Sequence, residues 1–276
     1  MFKSTFHSHS RFDDGKEELE AYIKSALEKG FKAFGFSAHA PVLNETGWNM
    51  KMKDFEEYVN TTKILKNKYK DKLEIYTGLE TDFYEGSIDW RKKEGIEYTI
   101  GAVHFLVDKK TNEYLPVDGT PEEFEETLNN SFGGDIKALV SAYYGKIREM
   151  LLLMKPDIVA HLDVIRKNNK NCKYFKEDDD YYMNEVYETL KVISSSNAIV
   201  EVNTGGISRG YVESPYPSRW ILEACLDMNI PVIVNSDCHH PEHIDFYYEE
   251  TYDMLKDIGF KYQRVLYRNE WRDVSL

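Results

Sequence analysis

The 276-residue chain is 42% hydrophobic and carries a net charge of −13: enough apolar content for a globular core, and the wrong sign for a nucleic-acid or anionic-membrane partner. Its three cysteines, Cys172, Cys225 and Cys238, form no C-x-x-C pair. No apolar leader follows Met1 and no apolar run approaches the ~18 residues of a membrane span, so a reduced, soluble, cytoplasmic protein is expected.

No linker, low-complexity run or repeat divides the sequence, and one domain is expected over 1–276. The first strand is read at "KSTFHSH" (3–9). After it, Leu19, Ile23 and Leu27 recur every four residues and Gly30 supplies a stop, which predicts a helix. Further strands follow at "KAFGFSAH" (32–39), "LEIYTGLE" (73–80) and "YTIGAVH" (98–104). A long helix is predicted over "KALVSAYYGKIREMLLLMKP" (137–156), ended by Pro156, and the next strand is "DIVAHLD" (157–163). Strands at "AIVEVNT" (198–204) and "PVIVNSDCH" (231–239) bracket a helix at "PSRWILEACLDMN", and "PEHIDFYYEETYDMLKDIG" is a last helix. Short runs rich in Val, Ile, Phe and Tyr, alternating with helices, predict a buried parallel sheet. Seven of them in a chain of this length favour an α/β fold of the distorted (β/α)7 barrel kind over an open sheet.

In such a barrel, functional side chains collect where strands end. His7 and His9 end the first predicted strand, His39 the second, Glu80 the third and His104 the fourth. His161 lies at the end of the fifth, and Asp237 and His239 end the last. Thus six of the eight histidines fall at one end of separate strands. Residues i and i+2 of a strand share a side, which pairs His7 with His9 and Asp237 with His239. Glu80, with two oxygens, can serve two ions. Imidazole and carboxylate without thiolate suit zinc, with iron and manganese as alternatives.

Each position alone also has an ordinary reading. The "DDGKEELE" run can be a helix start with Asp14 as its cap, and a single His104 or His161 is more often a satisfied core histidine. Their shared placement favours the metal centre. His240, His243 and Cys238 are read as structural.

The ordered motifs H-x-H, "SAHAP", "GLETDF", "GAVHFL", "AHLDVIRK", "EVNTGG" and "NSDCH" resemble the PHP (polymerase and histidinol phosphatase) superfamily from His7 to about His240. Chain length and the segment between "GAVHFL" and "AHLDVIRK" are most similar to the stand-alone histidinol-phosphate phosphatases. The resemblance implies a seven-stranded barrel with three divalent ions at the C-terminal ends of its strands. His7, His9, Glu80 and Asp237 would hold the first ion; Glu80, His104 and His161 the second; Asp14, His39 and His239 the third, with Asp13 as an alternative to Asp14. Arg166 and Arg209, just past strand ends, would clamp phosphate.

The activity so implied is hydrolysis of L-histidinol phosphate in histidine biosynthesis. A hydroxide shared by two ions would attack phosphorus, with Glu80, Asp237 and His239 around the reacting centre. Three divalent ions outweigh their ligand carboxylates and reverse the local charge, as a dianionic substrate requires. Alternatives are a PHP phosphatase of phosphotyrosine or another small phosphorylated metabolite, a metal-dependent amidohydrolase, and a degenerate barrel that only binds. Small-molecule substrate, no nucleic acid and no membrane are the expected partners, with the oligomeric state left open.

Overall fold

The computed structural model of the chain describes residues 2–43, 46–108 and 110–276. Its first half runs β1 (Ser4–Thr5), α1 (Leu19–Glu28), β2 (Ala33–Phe36), α2 (Phe55–Tyr69), β3 (Glu74–Asp82) and β4 (Tyr98–Ala102). A hairpin of β5 (Phe105–Val107) and β6 (Tyr114–Pro116) follows, then α3 (Pro121–Glu126) and α4 (Ile136–Leu153). The second half holds β7 (Ile158–Val159), α5 (Asp180–Ser194), β8 (Ile199–Asn203), α6 (Gly205–Ser208), α7 (Arg219–Asp227), β9 (Val232–Asn235) and α8 (Tyr248–Ile258). The chain ends in β10 (Tyr262–Tyr267) and β11 (Glu270–Ser275). Among the described residues, no helix is long and apolar enough to cross a membrane.

Seven parallel strands pair in the order β1-β2-β3-β4-β7-β8-β9, which is their order along the chain. Beyond the last ladder rung, Ser8 bridges Cys238 in parallel, and His9 N–H donates to the Cys238 carbonyl oxygen (2.9 Å). The first strand is thereby tied to the last, and the sheet is a nearly closed barrel, as expected from the strand count. Two of its strands, β1 and β7, are shorter than their apolar runs. The ladder in the 3–9 run is Ser4–Thr5, with the Ser8 bridge beyond it, and in the 157–163 run it is Ile158–Val159.

The barrel interior is layered. At the bottom, Phe6, Tyr76, Ile100, Ile158, Ile199 and Ile233 form an apolar plug, joined by Val265 and Leu266 of the terminal hairpin. Gln263 secures that hairpin by accepting from Val234 N–H (3.1 Å). Above the plug lies Tyr98, whose hydroxyl donates to the carbonyl oxygens of Phe6 (2.6 Å) and Phe36 (2.8 Å). A Cβ at Gly35 or Gly78 would stand 2.3 or 2.4 Å from Tyr98, so the ring has room only because those positions are glycine. His7, His9, His39, Glu80, His104, His161, Asp237 and His239 lie at or just past the C-terminal ends of the strands. The larger apolar core lies outside, between sheet and helices, with Tyr143, Tyr144, Ile147, Tyr182, Val186 and Leu190 from α4 and α5.

Four helices (α2, α3, α5 and α6) and both hairpins lie outside the elements expected from sequence. Of these, α2 and α5 expose charged faces that dilute their apolar stripes. The terminal hairpin turns through Arg268 and Asn269, both left-handed (φ 55° and 58°), a two-residue turn with no glycine to announce it.

Candidate metal centre

Six imidazoles and six carboxylates occupy the polar end of the barrel: His7, His9, His39, His104, His161 and His239, with Asp13, Asp14, Glu80, Asp82, Glu201 and Asp237. Glu80, fully buried at the end of β3, is the hub. Its Oε2 lies 3.0 Å from His7 Nε2, 3.5 Å from His9 Nε2 and 3.0 Å from His39 Nδ1. Its Oε1 lies 3.3 Å from His104 Nε2 and 3.1 Å from His161 Nε2. Asp237 Oδ1 is 3.1 Å from His9 Nε2 and 3.7 Å from His7 Nε2. Asp14 Oδ1 approaches His239 Nε2 (3.2 Å) and His39 Nε2 (3.9 Å). All nine expected metal positions therefore converge.

Behind this inner ring stands a row of acceptors. The Nδ1 of His7 donates to Glu201 (2.6 Å), that of His9 to Asp13 (2.6 Å) and that of His104 to Asp82 (2.8 Å). A carboxylate on Nδ1 fixes the tautomer and turns the Nε2 lone pair inward, the usual support of a metal-bound imidazole. Asp13 also accepts the N–H groups of Ser10 (2.7 Å) and His39 (2.9 Å). Its oxygens are spent, and Asp14 is the carboxylate that faces the histidines.

The orphan atoms are the telling feature. His7 Nε2, His9 Nε2, His39 Nδ1, Asp14 Oδ1 and Glu80 Oε2 are buried without a hydrogen-bond partner. His7 Nε2 and Glu80 Oε2 approach to 3.0 Å without making a hydrogen bond. Unpaired buried polar atoms are costly, and a cation at their common centre removes the cost. Three groups of donor atoms lie close enough to share an ion at the expected places: His7, His9 and Glu80; Glu80, His104 and His161; and His9, Asp14, His39 and His239. The residues present fit divalent ions.

The electrostatics agree. Burial alone would lower the His7 pKa, yet Glu201, Glu80 and Asp237 hold it well above the usual imidazole range. For His9, burial is likewise outweighed by Asp13, and the pKa rises to about 10. Burial would raise the Glu80 and Asp237 carboxyls, but the surrounding histidines, with Arg209 beside Asp237, hold both well below the carboxylate range. Protons thus balance the acids, and a metal ion would displace those protons.

The two arginines differ. Arg209 lines the cavity above the centre; it donates to Asp237 Oδ2 (2.8 Å) and to the Asp237 carbonyl oxygen (2.9 Å), with Nη1 2.9 Å from His239 Nδ1. Arg166, expected to clamp phosphate, is engaged by protein groups. Its guanidinium donates to Asp163 (2.8 Å), to the Oγ (3.2 Å) and carbonyl oxygen (3.3 Å) of Ser214 and to the Pro215 carbonyl oxygen, and its face covers the Tyr216 ring. It is absent from the cavity wall. Its donors strap the 214–216 loop to the segment after β7.

The cavity, about 940 Å³, opens directly over the centre. Trp48, Phe105 and Tyr114 supply an aromatic wall, and Lys16, Lys167 and Arg209 supply cations. His240 and His243, read as structural from sequence, also line it. Cys238 is buried in the outer core, as expected. Sequence reasoning missed Glu201 and Asp82. The available signal was an acid inside an apolar strand run, which must find a partner if buried.

The PHP domain family matches residues 5–205. The chain is 28% identical over 268 residues to the histidinol-phosphatase of Bacillus subtilis, covering 90% of this chain and 98% of that one. It is 25% identical over 276 residues to the probable histidinol-phosphatase of Schizosaccharomyces pombe, covering 92% of this chain and 86% of that one. Two crystal structures share the fold. The putative histidinol phosphatase of Listeria monocytogenes matches with a TM-score of 0.79 at 21% identity, over 90% of this chain and 99% of that one. The histidinol phosphate phosphatase of Lactococcus lactis, solved with zinc, L-histidinol and phosphate, matches with a TM-score of 0.72 at 16% identity, over 98% of both chains.

Proposed function

Because the chain belongs to the PHP domain family, we propose that it is a metal-dependent phosphomonoester hydrolase that converts L-histidinol phosphate to L-histidinol and phosphate in histidine biosynthesis. The observation that carries the reading is the set of buried, unpaired donor atoms converging on Glu80 beneath an open cavity. Residues 1–276 act as one cytoplasmic phosphoesterase domain with a small-molecule substrate and no nucleic-acid partner.

His7, His9 and Glu80, with Asp237 beside them, would hold one ion, Glu80, His104 and His161 a second, and Asp14, His39 and His239 a third; the donor set suits zinc, iron or manganese. Bound there, the ions supply Lewis-acid charge and lower the pKa of a water toward neutrality. Glu201, Asp13 and Asp82 keep three of the imidazoles in the ligating tautomer. Arg209 donates to Asp237 Oδ2 and so fixes the direction in which that carboxylate faces. Glu80, Asp237 and His239 surround the point where phosphorus must sit. Arg209 and Lys167 on the wall neutralise charge on the phosphoryl oxygens.

The test is phosphate release from L-histidinol phosphate by metal-stripped protein before and after zinc or manganese is restored. Turnover only after restoration supports the reading. Equal turnover by the stripped protein overturns it.

A further inference from the structure

The "EVNTGG" run supplies none of the proposed metal ligands, yet two of its residues reach the centre. Glu201 and Asn203 are two apart on β8 and so share one side of the strand. Glu201 stands behind His7, and Asn203, the last residue of the strand, is fully buried. Its backbone is held from two directions. Asn203 N–H donates to the Tyr216 carbonyl oxygen (2.6 Å) and its own carbonyl oxygen accepts Tyr216 N–H (3.0 Å), while Asn235 of β9 is its partner in register.

The side-chain amide has one workable orientation. Asn203 Oδ1 accepts Gly205 N–H (2.9 Å), a group that can only donate, so Nδ2 is turned the other way. There it donates to Glu201 Oε2 (2.9 Å) and to Asp237 Oδ2 (3.1 Å). Both amide hydrogens therefore go to carboxylates, one behind a proposed ligand and one itself a proposed ligand. Asn235, by contrast, spans Glu201 Oε1 (3.0 Å) and the Phe6 N–H (2.8 Å). Because the bridging amide is neutral, it satisfies two acids without cancelling charge that a cation would use.

Asp237 has reason to need such support. Its backbone is left-handed (φ 46°), a conformation that residues other than glycine adopt rarely and keep where neighbours over-determine it. Its Oδ1 faces His9 Nε2 (3.1 Å), while Oδ2 accepts from Arg209 (2.8 Å) and Asn203. Arg209 lines the cavity, where it also serves phosphoryl oxygens; Asn203 lies behind the carboxylate with every donor committed. Gly205 closes the wall. A Cβ there would stand 2.8 Å from Asp237 Cβ, so the loop held by Asn203 Oδ1 packs directly against Asp237.

We propose that Asn203 is a positioning residue of the metal centre: its amide ties Asp237 to Glu201, keeps Asp237 Oδ2 engaged and leaves Oδ1 as the single oxygen offered to the ion beside His7 and His9. That role rests on the metal-centre reading and adds the residue that sets how Asp237 ligates.

The test titrates metal-stripped wild type, Asn203→Asp and Asn203→Ala with zinc in competition with a chelator, and records the visible spectrum of each protein loaded with cobalt(II). Asn203→Asp keeps an acceptor for Gly205 N–H but sets an oxygen, in place of the NH2, against two carboxylates. Asn203→Ala removes both functions. Each variant is expected to bind one zinc ion about ten- to a hundredfold more weakly than wild type and to alter the cobalt spectrum. If Asn203 only held the loop, Asn203→Asp would match wild type in both readouts whatever its melting temperature, and that result overturns the assignment. Should Asn203→Ala not fold, Asn203→Asp decides alone. Failure of the metal-centre reading looks different, because wild type itself would then take up no zinc in the same titration.

Discussion

Replacing Glu201 with glutamine tests whether the centre is held from below. Glu201 is fully buried and accepts from four donors. Its Oε1 takes His7 Nδ1–H (2.6 Å) and Asn235 Nδ2 (3.0 Å), and its Oε2 takes His161 N–H (2.9 Å) and Asn203 Nδ2 (2.9 Å). Glutamine offers one acceptor oxygen and one NH2 in the same volume. Turned one way, the amide confronts His161 and Asn203; turned the other, it confronts His7 and Asn235. Either way two buried donors lose their acceptor, which at ~1–3 kcal/mol each costs about 2–6 kcal/mol of stability. In the second orientation His7 also flips its tautomer and presents N–H where a lone pair is needed. In either orientation the negative charge behind His7 is lost, and metal affinity should fall by about 10–100-fold, as for other changes behind a ligand. Zinc titration of stripped wild type and Glu201→Gln, with thermal unfolding of both, measures the two effects. Wild-type zinc affinity in Glu201→Gln would refute the reasoning.

Two further predictions concern the supporting structure. Arg166→Met breaks a buried pair with Asp163 and frees two loop carbonyls, so it should cost about 3–5 kcal/mol of stability while leaving KM for the phosphate substrate near wild type below the melting range. A raised KM with little loss of stability would restore Arg166 to the phosphate site. Asp245 receives Lys29 (2.6 Å) and Lys3 (3.2 Å); burial would raise its carboxyl, but the two lysines hold it below the usual range. A depressed folded pKa contributes stability above the unfolded value of ~3.9, lost as pH falls through the folded value. The stability difference between wild type and Asp245→Asn in denaturant titrations should therefore shrink below about pH 4; a difference that grows on acidification contradicts the assignment.

The inner ring was legible because its chemistry is concentrated. His7, His9, His39, His104, His161 and His239 are rare residues that all fall where apolar runs end, and the period of a strand says which of them share a side. Glu201 was not legible in that way, since its partner His7 lies 194 residues distant and no local spacing links them. Arg166 lies past a strand end, but sequence does not say whether its guanidinium turns to the cavity or to a loop. Asp13 and Asp14 are separated only by which oxygen the backbone of Ser10 and His39 engages. The terminal hairpin carries no Asn-Gly or Asp-Gly signal, and the motifs of the resemblance end at about His240, yet Val265 and Leu266 complete the barrel plug.

The most direct measurement is the kcat/KM of metal-reconstituted protein for L-histidinol phosphate, set against phosphotyrosine and a generic aryl phosphate at matched concentrations. The account predicts a preference for L-histidinol phosphate of more than about a hundredfold, roughly 2.7 kcal/mol of transition-state discrimination. Comparable slow turnover of all three would leave a metal-dependent phosphatase standing and contradict the substrate.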